Sequence, residues 1–239
     1  MTACGNGSRC VAKILFDENK KEDAVIVTSN RILEAKKILN ENSINTPNSI
    51  LLNNLKNCSN DPFKTFHKKF GYKPNLFMKP CEDGSSIDIF KISNDEDYKK
   101  AKLNCLNLER EFIFEESIEG REFTVTIIGN KCYPVIEIKT QNDFYDYDAK
   151  YISDDTILDQ AKLSDNELNT INDIALRAFC ALKCSGWARV DIIQDINGDF
   201  NVIEINTVPG MTSHSCVPKS ASFMGLSYQD VIKEILINV

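Results

Sequence analysis

Histidine and tryptophan are scarce in this chain: His67, His214 and a single tryptophan among 239 residues. So little imidazole leaves no basis for a zinc site of clustered His and Cys ligands. Nine cysteines are present, yet no two have Cys-x-x-Cys spacing. Their odd number does not suit a closed disulfide framework. Free thiols in a reducing, cytoplasmic setting are expected, with Cys180 on or near the buried face of a helix. Long apolar runs are missing too. Nothing approaches about 18 consecutive apolar residues, so no membrane-spanning helix is expected. The opening MTACGNGSRC has no apolar centre of the secretory kind. Basic charge is not in excess: the net charge is −7, which argues against a nucleic-acid partner.

What remains is ordinary globular material, 42% hydrophobic and 26% charged. That length allows one large domain, or two small ones sharing a groove. From residue 30 the pattern is legible. Arg31 to Asn42 reads as a helix capped by Ser29 or Asn30, and Ser49 to Leu52 as a short strand. Asp61-Pro62 opens a second helix. Asn75 to Lys79 and Ser86 to Ile92 read as strands, and Asn94 to Leu106 as a helix. Glu111 to Glu115, Glu122 to Ile128 and Lys131 to Lys139 are strand-like. Ser164, with Glu167 three residues on, makes a capping box. It opens a helix whose apolar face is Leu168, Ile171, Ile174, Ala175, Ala178, Phe179 and Leu182. Strands follow at Gly186 to Gln194 and Phe200 to Asn206. Ser227 caps a last helix carrying Val231, Ile232, Ile235 and Leu236. Strands and helices mixed in this order indicate an α/β or α+β fold.

The most informative stretch is ARVDIIQDINGDFNVIEINTVPG. Asn197-Gly198 between two strand patterns is a strong hairpin signal. A two-residue loop there sets Asp191 opposite Glu204 and Arg189 opposite Asn206. Residues two apart share a face, so the four form one polar patch. Val190, Ile192, Ile203 and Ile205 then face a core. Opposed carboxylates repel, so something positive should lie between them. Arg189 is one candidate and a divalent cation is the other. Two carboxylates and an amide oxygen are hard ligands of the kind that suit Mg²⁺. A solvated, salt-bridged sheet face fits the same spacing. Another loop length would shift the register and scatter the patch.

Several segments together resemble one family. KPCEDGSSIDI resembles the strand and glycine-rich loop of D-alanine–D-alanine ligases. FIFEESIEGREFTV is similar to their interdomain hinge and FYDYDAKY to their active-site loop. GWARVD and EINTVPGMTSHS resemble their metal-binding and substrate-carboxylate segments. Their common order is more specific than any single motif. The resemblance implies the ATP-grasp fold, with ATP bound between two antiparallel sheets. Residues 1–28 would be an irregular remnant or linker, 29–117 a central subdomain with the glycine-rich loop, and 118–239 the catalytic subdomain.

It also implies an activity. ATP would phosphorylate one D-alanine, and the amine of a second would attack the acyl phosphate, for peptidoglycan precursor synthesis. Asp191, Glu204 and Asn206 would hold two Mg²⁺ or Mn²⁺ ions. Lys79, Gly84, Ser86 and Lys150 would meet phosphate, the last from a closing loop. Ser85 and Tyr151 would form a hydrogen-bond network near the first D-alanine. The adenine would lie against Glu115, Glu116 and Ile118, with Glu122 on the ribose and Phe144, Ile193 and Ile203 as apolar walls. Arg189 and the Gly210 amide would stabilise the oxyanion, and Ser215 would bind the second carboxylate.

Two departures qualify the resemblance. Spacing back from Thr46-Pro47 puts Arg31 where the family places a phosphate-binding lysine, keeping charge but not geometry, whereas aligning on LFDENKKED instead requires an insertion before Asn30. Asp83 stands where glutamate is usual. Family members also carry a preceding domain that helps to hold the first D-alanine. On that reading a homodimer or a separate chain would complete the site. A ligase for other amino acids or peptides, and an inactive nucleotide-binding paralogue, are the alternative functions.

Overall fold

Alternating apolar residues build two antiparallel sheets, each with its own helices. The computed structural model describes residues 28–52, 55–56, 61–81, 88–105, 107–139 and 157–238. They fall into two units, residues 28–34 with 47–118, and residues 35–46 with 119–238. The first helix, α1 (Thr28–Glu41), starts ahead of both expected caps, and the division falls within it.

In the first unit, β1 (Ser49–Leu52), β2 (Leu76–Pro80), β3 (Phe90–Ile92) and β4 (Phe112–Glu116) form a sheet of order β1-β4-β2-β3. The period of two is plain in LFMKP: Leu76, Met78 and Pro80 are buried while Phe77 and Lys79 face the other way. Phe112 and Phe114 join that core. It is closed by Phe63 and Phe66 of α2 (Pro62–Phe70) and Ala101 of α3 (Asp95–Asn104). The Asp61 side chain accepts from the Phe63 and Lys64 amides, and Gly71 (φ 85°) ends α2 in the left-handed region that glycine tolerates. Asn94 caps α3 in the same manner.

The second unit runs β5 (Gly120–Ile128), β6 (Lys131–Cys132), β7 (Ile136–Lys139), β8 (Ile157–Gln160), α4 (Asp165–Ala181), β9 (Trp187–Asp195), β10 (Phe200–Asn206), α5 (Cys216–Ser222) and α6 (Tyr228–Asn238). The sheet order is β10-β9-β5-β7-β8, with β6 on β5. The strand expected over Lys131 to Lys139 is broken in two, with Pro134, which has no N–H to donate, between the halves. On one face Phe123, Val125, Ile127, Val190, Ile192 and Val202 pack on Ile171, Ala175, Ala178 and Phe179 of α4. Leu168 (38% exposed) and exposed Cys180 lie off this stripe, contrary to the sequence reading. Cys180 is one step round the helix from Phe179, which turns it to solvent. Leu236 is likewise exposed, while Val231 and Ile235 are buried. On the other face, α5 and α6 cover Ile128 and Tyr133 through Val217, Ala221, Val231 and Ile235. No described helix is long and apolar enough to cross a membrane.

The capping box at α4 is formed in full: Ser164 Oγ accepts from the Glu167 amide and Glu167 accepts from Ser164. Glu167 also accepts from Gln194 Nε2 at 3.3 Å, which ties the start of α4 to β9. Ser164→Ala is expected to cost about 1 kcal/mol of unfolding free energy. The hydrogen bonds from Ser164 hold the Glu167 carboxyl down at about 2. A lowered carboxylate stabilises the fold above its ordinary range and loses that effect as pH falls through the lowered value. The stability gap between wild type and Glu167→Gln should therefore close in acid. Urea midpoints above and below this window check it.

Candidate active site

The hairpin of β9 and β10 brings the expected four side chains together, by a route the sequence does not announce. The loop is not two residues long. Asp195 and Asp199 close it, with the Asp195 amide on the Asp199 carbonyl at 2.9 Å, and Gly198 sits at φ +90°. This makes a three-residue loop with glycine in the left-handed position. Pairing near the turn is consequently one residue off the expected register: Phe200 faces Gln194, Asn201 faces Ile193 and Val202 faces Ile192. Continued regularly, that register would set Ile203 against Asp191 and turn Glu204 into the core. A bulge between Val202 and Glu204 absorbs one residue. Beyond it Glu204 faces Asp191 and Asn206 faces Arg189. Val202 takes the core place expected of Ile203, which is only half-buried.

Asp191 is the centre of the patch. It is 6% exposed. Its Oδ1 accepts from Arg189 Nε at 2.8 Å and from Thr124 Oγ1 at 2.7 Å. Its Oδ2 accepts from Arg189 Nη2 at 2.6 Å and from Asn206 Nδ2 at 3.2 Å. The same Asn206 nitrogen donates to Glu204 Oε1 at 3.0 Å, and Arg189 Nη2 lies 3.8 Å from that oxygen. Guanidinium and amide N–H groups thus separate the two carboxylates. Burial pushes the Asp191 carboxyl above the usual carboxylate range, against the pull of Arg189. Burial also opposes the charge on Arg189, but Asp191 more than offsets it and leaves the guanidinium pKa above its ordinary value. Among the described residues no group of three or more His, Cys, Asp or Glu side chains is arranged to hold a metal. The hard-donor set is instead two carboxylates and one amide.

The patch extends onto β5. Thr124 faces Asp191, Thr126 faces Arg189 and Glu122 faces Ile193. The sequence reading omitted both threonines. EFTVTII alternates polar and apolar residues and so puts both threonines on one strand face, but it does not say which strand lies alongside.

In the first unit, Lys79 and Glu115 lie on the sheet face opposite the core and form an ion pair at 2.5 Å. Glu115 is buried. Glu116 accepts from the Tyr72 hydroxyl at 2.7 Å, and its amide donates to Asn48. Near the C-terminus, Ser215 Oγ accepts from the Thr212 amide at 3.0 Å and meets Thr212 Oγ1 at 2.9 Å. A Cβ on Gly210 would approach Ser215 Oγ to 3.1 Å, so glycine keeps this turn open. His214 is exposed.

Comparison with known proteins shows the family. The family model described as D-ala D-ala ligase C-terminus matches residues 38–237. The chain belongs to that family. A D-alanine–D-alanine ligase of Mannheimia succiniciproducens is 39% identical over 162 residues, covering 67% of this chain and 53% of the relative. One from Marinomonas sp. is 42% identical over 166 residues, 68% of this chain and 52% of the relative. The crystal structure of D-alanine–D-alanine ligase from Bacillus anthracis superimposes with a TM-score of 0.71 at 32% identity, over 87% of this chain and 66% of that one. The chain therefore spans about half the length of the curated relatives it matches. Its two antiparallel sheets are those of the ATP-grasp ligases of this family.

In this member of the D-ala D-ala ligase C-terminus family, the residues expected at the site are distributed mainly over both sheets and one turn. Arg189, Asp191, Glu204 and Asn206 share one sheet face, with Glu122 and Ile193 beside them on that face. Gly210 and Ser215 are together in the turn before α5. Lys79, Glu115 and Glu116 belong to the other sheet, with half-buried Ile118 just past its last strand. Arg31 lies within α1. Gly84, Ser85, Ser86, Phe144, Lys150 and Tyr151 lie outside the described residues.

Proposed function

We propose that this chain carries the nucleotide- and cation-binding machinery of an ATP-dependent ligase joining two D-alanines through an acyl phosphate. One observation carries the reading: the bulged hairpin sets Asp191, Glu204 and Asn206 side by side, with Arg189 among them. The donor set fits Mg²⁺ or Mn²⁺, two hard carboxylates with an amide oxygen available by rotation of the Asn206 side chain. Such an ion, when bound, would neutralise charge on phosphate as the γ-phosphoryl moves.

The chain's own residues would do the rest. N–H groups of Arg189 and Asn206 screen Asp191 from Glu204, and turning the Asn206 amide would exchange its N–H for an oxygen that a cation can meet. Arg189, held by two hydrogen bonds to Asp191, presents a fixed positive group where an oxyanion would form. The Gly210 amide would be the second donor to that oxyanion. Ser215, fixed by Thr212, would orient the carboxylate of the attacking D-alanine. Lys79 would neutralise phosphate, and Glu122 and Ile193 would meet the nucleoside.

A phosphate-release assay on the purified chain tests this. Release should require ATP, a divalent cation and D-alanine together. Release at the same rate with D-alanine omitted would contradict the proposal.

A further inference from the structure

The sheet face that carries the site also holds two threonines whose circumstances differ. Thr124 and Thr126 are neighbours on one face of β5, and both are 1% exposed. Thr126 Oγ1 has no hydrogen-bond partner among the described residues. Thr124 Oγ1 donates to Asp191 Oδ1 at 2.7 Å in a buried bond. Burial at this face therefore does not by itself bring a threonine hydroxyl a partner.

From this contrast we infer that Thr124 is a positioning residue for the cation site: by holding one oxygen of Asp191 on the β5 side it fixes the plane in which the other oxygen is offered to β10. The inference rests on the function proposed above and deepens it. A carboxylate has about four lone-pair sites, and Asp191 meets four donors. Two come from Arg189, one to each oxygen, and do not distinguish Oδ1 from Oδ2. Asn206 reaches Oδ2 from the β10 side. Thr124 alone reaches Oδ1 from β5, the strand on the opposite side of β9. Threonine is stiff at χ1 because it is branched at Cβ, so its hydroxyl direction is set by the strand. With Oδ1 anchored to β5, Oδ2 is turned toward Glu204 and Asn206. Hydrogen bonds of this supporting kind are worth roughly 10- to 100-fold in metal affinity.

The test measures Mn²⁺ binding directly, by electron paramagnetic resonance with ATP present, so that turnover is not the readout. Thr124→Val keeps the volume and removes the donor. Mn²⁺ affinity should fall by about tenfold or more. Thr124→Ser should restore most of it, and Thr126→Val should leave it unchanged. Wild-type affinity in Thr124→Val, or no recovery in Thr124→Ser, would overturn the inference. Should the valine variant fail to fold, Thr124→Ala against Thr124→Ser makes the same comparison. Asp191→Asn separates the two levels. If it binds Mn²⁺ as wild type does, the cation reading itself falls. If it loses binding while Thr124→Val keeps it, only the positioning role falls.

Discussion

Replacing Asp191 by asparagine is expected to abolish cation-dependent phosphate release while leaving the chain folded. Asparagine keeps the volume, and its carbonyl oxygen can still accept from Thr124, which holds Asp191 at 2.7 Å. What it loses is the charge that would bind a divalent ion at the phosphates. Interactions of that kind supply several kcal/mol to a transition state, or about a thousandfold in rate. Steady-state release at saturating ATP measures the loss, and unfolding by urea controls for structure. Turnover within a few-fold of wild type would remove Asp191 from the chemistry.

Arg189→Met should have the largest effect on stability. The methionine keeps an apolar stem but removes the guanidinium. Asp191, 6% exposed, then stays buried with Glu204 opposite and its main positive partner gone. Breaking such a pair costs about 3–5 kcal/mol. The deficit should depend on pH, with a definite sign. Burial already raises the Asp191 carboxyl in the intact pair, and loss of Arg189 raises it further. A carboxyl with a raised folded pKa favours the fold below its unfolded value and loses that contribution as pH rises through the folded value. The variant should thus approach wild type in acid and fall furthest below it near neutrality. Denaturation curves taken with a chelator across that range report this directly. A deficit constant with pH would mean that Arg189 stabilises only through its stem.

Much of the site was legible because strands obey a period of two and the Asn-Gly turn signal is strong. The pairing of Asp191 with Glu204 was read correctly from a wrong loop length. The loop has one residue more than expected and the bulge near Ile203 removes one, so the two errors cancel beyond Val202. Periodicity carries no mark of a bulge, which is why Ile203 was assigned to the core in place of Val202. Strand β8 is not legible because ILDQ puts two apolar residues before two polar ones and so shows neither alternation nor a continuous apolar run. Helix α4 was legible at its start, where a capping box is a local chemical signal, but Cys180 was misjudged by one position around the helix. Thr124 was overlooked for a different reason. A threonine in a strand is ordinary, and only the pairing of β5 with β9 reveals that it meets Asp191.

The most direct measurement is an anomalous-scattering map of crystals grown with Mn²⁺ and ATP. The account requires a manganese peak about 2.1 Å from carboxylate oxygens of Asp191 and Glu204 and from Asn206 Oδ1. The Asn206 amide should then be turned over relative to the orientation in which its nitrogen bridges the two carboxylates. Manganese bound elsewhere, with Arg189 and Asn206 Nδ2 still closing on Asp191, would contradict it.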